Sequence, residues 1–322
     1  MTDVLIVCTA TTAGWRAVAD ELAGAITRAG ATVQTVTAAP QRRVRTFALT
    51  DLLEARAARE ACRKGIAAHR PQAIIYCSIT AALLWPTPGA VALDSIAAEN
   101  RPGRHGVWQR PLERRRLARA PLVLASTERA LAPLLGPHGA LVVIPPAVEV
   151  APPARAPREL AAVAYAADPD KRRLGLVLEA WARARRAGET LVVTGVERLP
   201  AIDGVRAAGL LPGDEFRALL RRARAFVTAP RREDFGIAAL EALANGCQLV
   251  STPSPGPYPA LALARELDGR LVSDDLGAAL RIALDDPRPG YALQAAALLA
   301  PYRREAIDQR VARDVLPRLL AR

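Results

Sequence analysis

Lysine is nearly missing from this chain of 322 residues: of its 44 basic residues only Lys64 and Lys171 are lysine. The others are arginine in an alanine-rich background, so the net charge of +12 reads as a compositional bias more than as selection for charge. Basic character favours polyanionic ligands and acidic membrane surfaces without choosing between them. A nucleic-acid-binding protein is therefore a reading from charge alone, and no nucleic-acid partner is expected. Cysteine is also scarce. Cys8, Cys62, Cys77 and Cys247 are scattered with no metal-ligand spacing, which excludes a disulfide framework and leaves reduced core thiols. No apolar run reaches the roughly 18 residues of a membrane helix. No basic-then-apolar leader precedes Val4, so a soluble, cytoplasmic protein is expected. Repeats and low-complexity segments are absent as well, which argues against a solenoid.

What the chain does have is an alternation of short apolar runs with helical stretches. The most informative stretch is Arg231 to Gly256. Ala223 to Ala229 is apolar and β-branched enough to be a buried strand, ended by Pro230. Ile237 to Ala244 has helix-forming composition and stops at Asn245-Gly246, and Cys247 to Ser251 resumes as a strand. Glu233 lies in the loop before this helix and Glu241 inside it, eight positions later. Both can look toward the carboxyl end of a parallel sheet, where open α/β folds bind ligands. Phe235, Gly236 and Ile237 offer backbone N–H groups at a helix start, a natural seat for phosphate. An anion seat flanked by carboxylates suits a ligand bearing both phosphate and hydroxyl groups, as a sugar nucleotide does.

Glu233 to Glu241, in the sequence EDFGIAALE, resembles the E-x7-E motif of retaining GT-B glycosyltransferases, particularly glycosyltransferase family four. The following Ala242 to Val250 resembles that family's continuation. The resemblance implies an α/β fold of the GT-B kind, with two Rossmann-like domains, parallel sheets and an interdomain cleft. It implies glycosyl transfer from a nucleotide-sugar donor with retention, and neither a metal nor a further cofactor. Glu233 would contact donor-sugar hydroxyls together with the amides of Phe235, Gly236 and Ile237, and Glu241 would bind ribose hydroxyls.

The amino-terminal half fits the same alternation. Asp3 to Thr9 reads as a buried strand and Trp15 to Ala29 as a helix, with a turn from Thr9 to Gly14 where such enzymes place an acceptor-side glycine loop. Val33 to Val36, Ala73 to Tyr76, Val91 to Leu93 and Pro121 to Ser126 read as further strands, and Leu49 to His69 as a helix. Leu93 stands where the family commonly has His, and Asp94 follows it. Asp94 could position an acceptor hydroxyl and His105 could supply the missing imidazole. Loop capping and turn formation are the alternatives for both. From Glu99 to Arg119 arginines crowd around Pro102-Gly103 and along a helix. They fit an acidic or lipid-linked acceptor, a phospholipid headgroup, or an ordinary solvated helix face.

The boundary is placed in Ala151 to Pro157, which has linker composition. That gives an acceptor-side domain over 1–150, a nucleotide-sugar domain over 151–302 and an amphipathic terminal helix over 303–322 that crosses back. In the second domain Lys171 matches the family's diphosphate-binding lysine, a compact cation able to neutralise a leaving diphosphate. Tyr165 stands where family members often have Arg, so the second cation would come from Arg172 or Arg173, or be absent. Gly195 ends the strand Thr190 to Thr194 and could approach the nucleotide. Leu210 and Leu211 resemble the strand end beneath the base, whose edge their backbone could read. Asp274-Asp275 reads as a helix cap. Beside the transferase stand two alternatives, a GT-B sugar-nucleotide epimerase or hydrolase and a non-catalytic sugar-nucleotide binder. Peripheral contact with the inner membrane face is a further expectation.

Overall fold

The computed structural model describes residues 2–9, 13–42, 44, 46–132, 134, 136–152 and 157–321. Residues 10–12 of the expected amino-terminal turn, 153–156 of the expected linker and Arg322 at the end of the expected terminal helix lie outside the described residues. The chain divides into two compact units, Met1–Ala147 with Arg304–Arg322, and Val148–Arg303.

In the first unit the apolar runs form β1 (Val4–Cys8), β2 (Val33–Thr37), β3 (Ala73–Tyr76), β4 (Ala90–Leu93), β5 (Leu122–Ala125) and β6 (Ala140–Val143). They make one parallel sheet in the order β2-β1-β3-β4-β5-β6. Side chains alternate across it, as the period of two requires. Val4, Ile6 and Cys8 meet Leu22 and Ile26 of the helix Ala13–Arg28 and Ile307, Val311 and Val315 of the carboxy-terminal segment. Leu5 and Val7 point the other way, toward Ala58 and Cys62 of the helix Phe47–His69.

The second unit contains β7 (Leu160–Tyr165), β8 (Leu191–Thr194), β9 (Val205–Ala207), β10 (Ala223–Thr228) and β11 (Gln248–Ser251). Their order is β11-β10-β7-β8-β9, again all parallel. The order reverses between β7 and β10. Connections leave the two strands in opposite directions there, and the carboxyl ends of β7 and β10 become the natural ligand position of the sheet. All four cysteines are buried and none forms a disulfide.

Two expectations need adjustment. Leu210 and Leu211 do not end a strand: β9 stops at Ala207, and the two leucines lie in the loop before the helix Gly213–Arg222, with Leu210 exposed. The terminal helix is not uniform. Helix Arg304–Arg310 passes through a π turn at Val311–Val315 into helix Leu316–Leu320. Pro317 has no N–H to donate to the preceding turn, and that turn widens ahead of it. Asp275 does cap its helix, accepting from the Ala278 N–H at 3.0 Å.

The first unit also encloses polar groups. Asp51 is buried and accepts from Arg101 Nε at 2.8 Å, Arg101 Nη2 at 3.0 Å and Gln109 Nε2 at 3.1 Å. Glu113, buried on the helix Gln109–Arg119, accepts from the Ala97 N–H at 2.9 and 3.0 Å. Burial raises its carboxyl from the ordinary 4.5 to about 7, although the Ala97 N–H and nearby Arg101 oppose the rise. Between pH 4.5 and about 7 the folded chain keeps a proton that the unfolded chain has released, so this group's stabilisation is lost as pH rises through that window. Replacing Glu113 with Gln should flatten the decline, which a full shift would make about 3 kcal/mol. Urea melts at pH values below and above the window measure it. A slope unchanged by the substitution would place the proton elsewhere.

Candidate functional site

Two loops meet at the carboxyl ends of β7 and β10. The first, from Ala166 to Arg173, folds on itself: the Lys171 N–H donates to Asp168 Oδ1 at 3.0 Å, and the Arg172 N–H to the Asp168 carbonyl at 3.0 Å. Arg173 then takes the left-handed conformation, with φ of 47°, and starts the helix Leu174–Ala184. Its guanidinium reaches the second loop, donating to the Ala229 carbonyl at 2.7 Å and to Thr252 Oγ1 at 2.8 Å. The Arg231 N–H returns a bond to the Lys171 carbonyl at 3.0 Å.

The centre of this junction is an ion pair between Arg172 and Glu233, whose side chains are 19% and 7% exposed. The Arg172 guanidinium also lies over the ring of Tyr165, 5.7 Å from its centroid, and Tyr165 packs against Phe216. The Glu233 N–H donates to the Pro255 carbonyl at 3.1 Å. Gly236 comes next with φ of 82°, a left-handed residue at the start of the helix Ile237–Ala244. Any side chain there would collide with the ring of Tyr258, so glycine is required by space as well as by backbone. Tyr258 is itself buried and hydrogen-bonded to Ser251, and burial pushes its phenol up to about 12.

Because glycine begins the helix, no side chain caps it. The N–H groups of Ala239 and Leu240 both donate to the Gly236 carbonyl at 3.1 Å. Those of Phe235, Gly236, Ile237 and Ala238 donate to no acceptor among the described residues. Four amides without an acceptor among the described residues therefore run from just after Glu233 into the positive end of a helix dipole. Such a seat favours an anionic oxygen.

Glu241 lies in the second turn of this helix. Burial raises its carboxyl, and Arg217, 3.7 Å away on the helix Gly213–Arg222, lowers it. Gly195 follows β8 and donates its N–H to the Gly209 carbonyl at 2.6 Å, just before Leu210 and Leu211. The structure thus brings Lys171, Glu233, Phe235, Gly236 and Ile237 to one junction, with Glu241 on the helix that leaves it. In the first unit Asp94 follows β4 and accepts from Ser95 Oγ at 3.5 Å. His105 lies on a different segment, the turn Gly103–Gly106, with its ring edge-on to Phe47 at 6.0 Å. Among the described residues no group of three or more His, Cys, Asp or Glu is arranged to hold a metal ion.

Sequence reading named Arg172 and Arg173 as possible second cations without distinguishing them. The structure does distinguish them: Arg173 is engaged with backbone carbonyls, and Arg172 with Glu233. Arg217 and Tyr258 were missed, since neither carries a spacing signal and both act only through tertiary contact.

Removing one partner of a desolvated pair leaves the other charge stranded. Arg172→Ala should therefore lower the unfolding free energy by about 3 kcal/mol, and adding Glu233→Gln should recover most of it. Urea unfolding midpoints at unchanged slope give the measurement. A loss below about 0.5 kcal/mol would mean that the pair behaves as a surface ion pair.

Residues 158–286 match the family model of the glycosyl transferases group 1. No curated protein matches. Several solved structures resemble the chain at low identity. WaaG, a glycosyltransferase involved in lipopolysaccharide biosynthesis, is 13% identical with a TM-score of 0.70, over 96% of this chain and 98% of that one. Anabaena Alr3699/HepE, solved in complex with UDP and glucose, is 14% identical with a TM-score of 0.67, over 97% and 98%. The pneumococcal O-GlcNAc transferase GtfA, solved with UDP and GlcNAc, is 12% identical with a TM-score of 0.55 over 74% of this chain. The match spans only 55% of that longer protein. Two parallel Rossmann-like sheets and these likenesses define the GT-B fold, and the stretch that matches the group 1 glycosyl transferases contains Lys171, Glu233 and Glu241.

Proposed function

We propose that the protein transfers a sugar from a nucleotide-sugar donor to an acceptor hydroxyl, with retention and without a metal ion. The observation that carries this reading is the junction of free amides at Phe235 to Ala238 with the carboxylate of Glu233. The amides would hold a donor oxygen at the helix start, and Glu233, steadied by Arg172, would accept from sugar hydroxyls. Glu241 would accept from the ribose, and the backbone of Gly195, Leu210 and Leu211 would line the base. Lys171 would stabilise charge on the departing diphosphate, the largest contribution that the protein makes to the reaction. Acceptor binding would fall to the first unit, with Asp94 positioning the hydroxyl and His105 supplying an imidazole. The group 1 match over this stretch supports the reading, as do the UDP and sugar complexes of the similar structures. The protein would work in the cytoplasm against the inner membrane face, on an acidic or lipid-linked acceptor that the exposed arginines between residues 104 and 119 would meet.

A thermal-shift screen against UDP, GDP, ADP and dTDP sugars tests the donor site. One base series should raise the melting temperature, and Glu241→Ala should abolish the rise. Lys171→Ala should leave nucleotide binding within a few-fold and lower kcat by roughly 10²–10³. No shift with any nucleotide would remove the transferase reading. Donor turnover without an acceptor would instead identify a hydrolase or epimerase.

A further inference from the structure

Six large apolar side chains stand in solvent among the described residues, and three of them lie on two adjoining segments of the first unit. Phe47 is 60% exposed, Leu49 47% and Val107 64%. Phe47 and Leu49 occupy the first turn of the helix Phe47–His69, while Val107 follows the turn Gly103–Gly106. Several contacts join these segments: Trp108 Nε1 donates to the Ala48 carbonyl at 3.2 Å, His105 stands edge-on to Phe47, the Arg101 guanidinium lies over the Phe47 ring at 5.0 Å, and Arg101 and Gln109 bond Asp51. The join is polar and aromatic, and it leaves the apolar tips pointing outward. A single exposed leucine needs no explanation, but a cluster held this way does.

The surroundings carry charge of one sign. From Arg101 to Arg119 the chain has seven arginines and a single acid, Glu113. That acid is buried and caps Ala97, so it neutralises nothing outside. Three of the arginines are committed to the fold: Arg101 to Asp51, Arg110 to the Arg101 and Gly103 carbonyls, and Arg116 to the Leu83 carbonyl. The other four, Arg104, Arg114, Arg115 and Arg119, are exposed and make no ion pair among the described residues. Arg42, also exposed, precedes the Phe47 helix on the other side.

Apolar tips set in an unneutralised guanidinium field match one kind of partner, the surface of an anionic bilayer. Guanidinium groups take lipid phosphates in a two-pronged fashion, and short apolar side chains enter the boundary between headgroups and acyl chains. A nucleic acid would reward the arginines but leave Leu49 and Val107 in water. Resting on the reading that the protein works against the inner membrane face, we propose that Phe47, Leu49 and Val107, with Arg104, Arg114 and Arg115, form a docking surface for anionic lipid membranes. The two signals act together, since neither so few apolar groups nor so few charges would hold the protein alone.

Sedimentation of the full chain with phosphatidylcholine vesicles, with and without phosphatidylglycerol, tests this. The protein should pellet with the anionic vesicles and remain in solution with the zwitterionic ones. Leu49→Gln with Val107→Gln should weaken binding by about tenfold. Both side chains already stand in solvent, so the melting temperature should not fall. Arg114→Glu with Arg115→Glu should weaken binding by at least about tenfold. Failure of the unaltered protein to pellet with anionic vesicles would overturn the proposal. So would pelleting that the two glutamines leave unchanged, because the arginines would then be a general polyanion patch that also retains single-stranded oligonucleotides.

Discussion

A desolvated ion pair between Arg172 and Glu233 joins the loop after β7 to the loop after β10, and the arrangement of the second unit's ligand end depends on it. Pairs of this kind persist only where geometry and neighbouring groups offset the loss of water. Here the aromatic face of Tyr165 covers the guanidinium, and further hydrogen bonds tie the two loops together around the pair. Arg173 clamps Ala229 and Thr252, and Arg231 bonds back to the Lys171 carbonyl. The consequence is local. Lys171, Glu233 and the amides that follow Asp234 are held by one rigid junction, so a ligand meeting them would find its contacts already in place.

The abundance of arginine acquires a structural sense in this light. Much of the charge does not face solvent freely but ties chain ends together. Arg158 reaches the Leu220, Ala223 and Asn245 carbonyls, Arg116 the Leu83 carbonyl and Arg59 the Leu84 carbonyl. A planar fork of five donors can satisfy two or three carbonyls at strand and helix ends, which an ammonium on a flexible stem does less well. Against that background the two lysines stand apart. Lys64 is a solvated helix residue beside Glu60, whereas Lys171 sits at the junction. Net charge therefore overstates how much basic surface is offered to a partner, and the exposed arginines of residues 104–119 become the more meaningful subset.

Much of the fold could be read directly from the chain. Strands such as Val4–Cys8 and Ala223–Thr228 are short, β-branched and bounded by turn residues, so burial on both faces leaves an unmistakable apolar run. The helix Ile237–Ala244 and its glycine start were equally legible, because a left-handed start and a helix-forming run are local properties. The family resemblance put Leu210 and Leu211 at a strand end before a helix start; the helix does begin at Gly213, whereas the strand is the weakly apolar Val205–Ala207 at the sheet's edge. The π turn at Val311–Val315 was invisible to a periodicity that continues through it. Nor could spacing reveal that Glu233 pairs with Arg172 and Glu241 with Arg217, since those partners lie 61 and 24 positions away and meet only when the sheet forms.

In the proposed reaction the amides of Phe235 to Ala238, with Glu233, would receive the donor. Hydrogen–deuterium exchange over the segment 231–244, with and without the nucleotide-sugar selected by thermal shift, tests it most directly. These amides have no acceptor among the described residues, so bound donor should slow their exchange well beyond any change in β1 or the helix Phe47–His69. Unchanged exchange at residues 235–238 with saturating donor, and protection appearing in another segment instead, would contradict the claim.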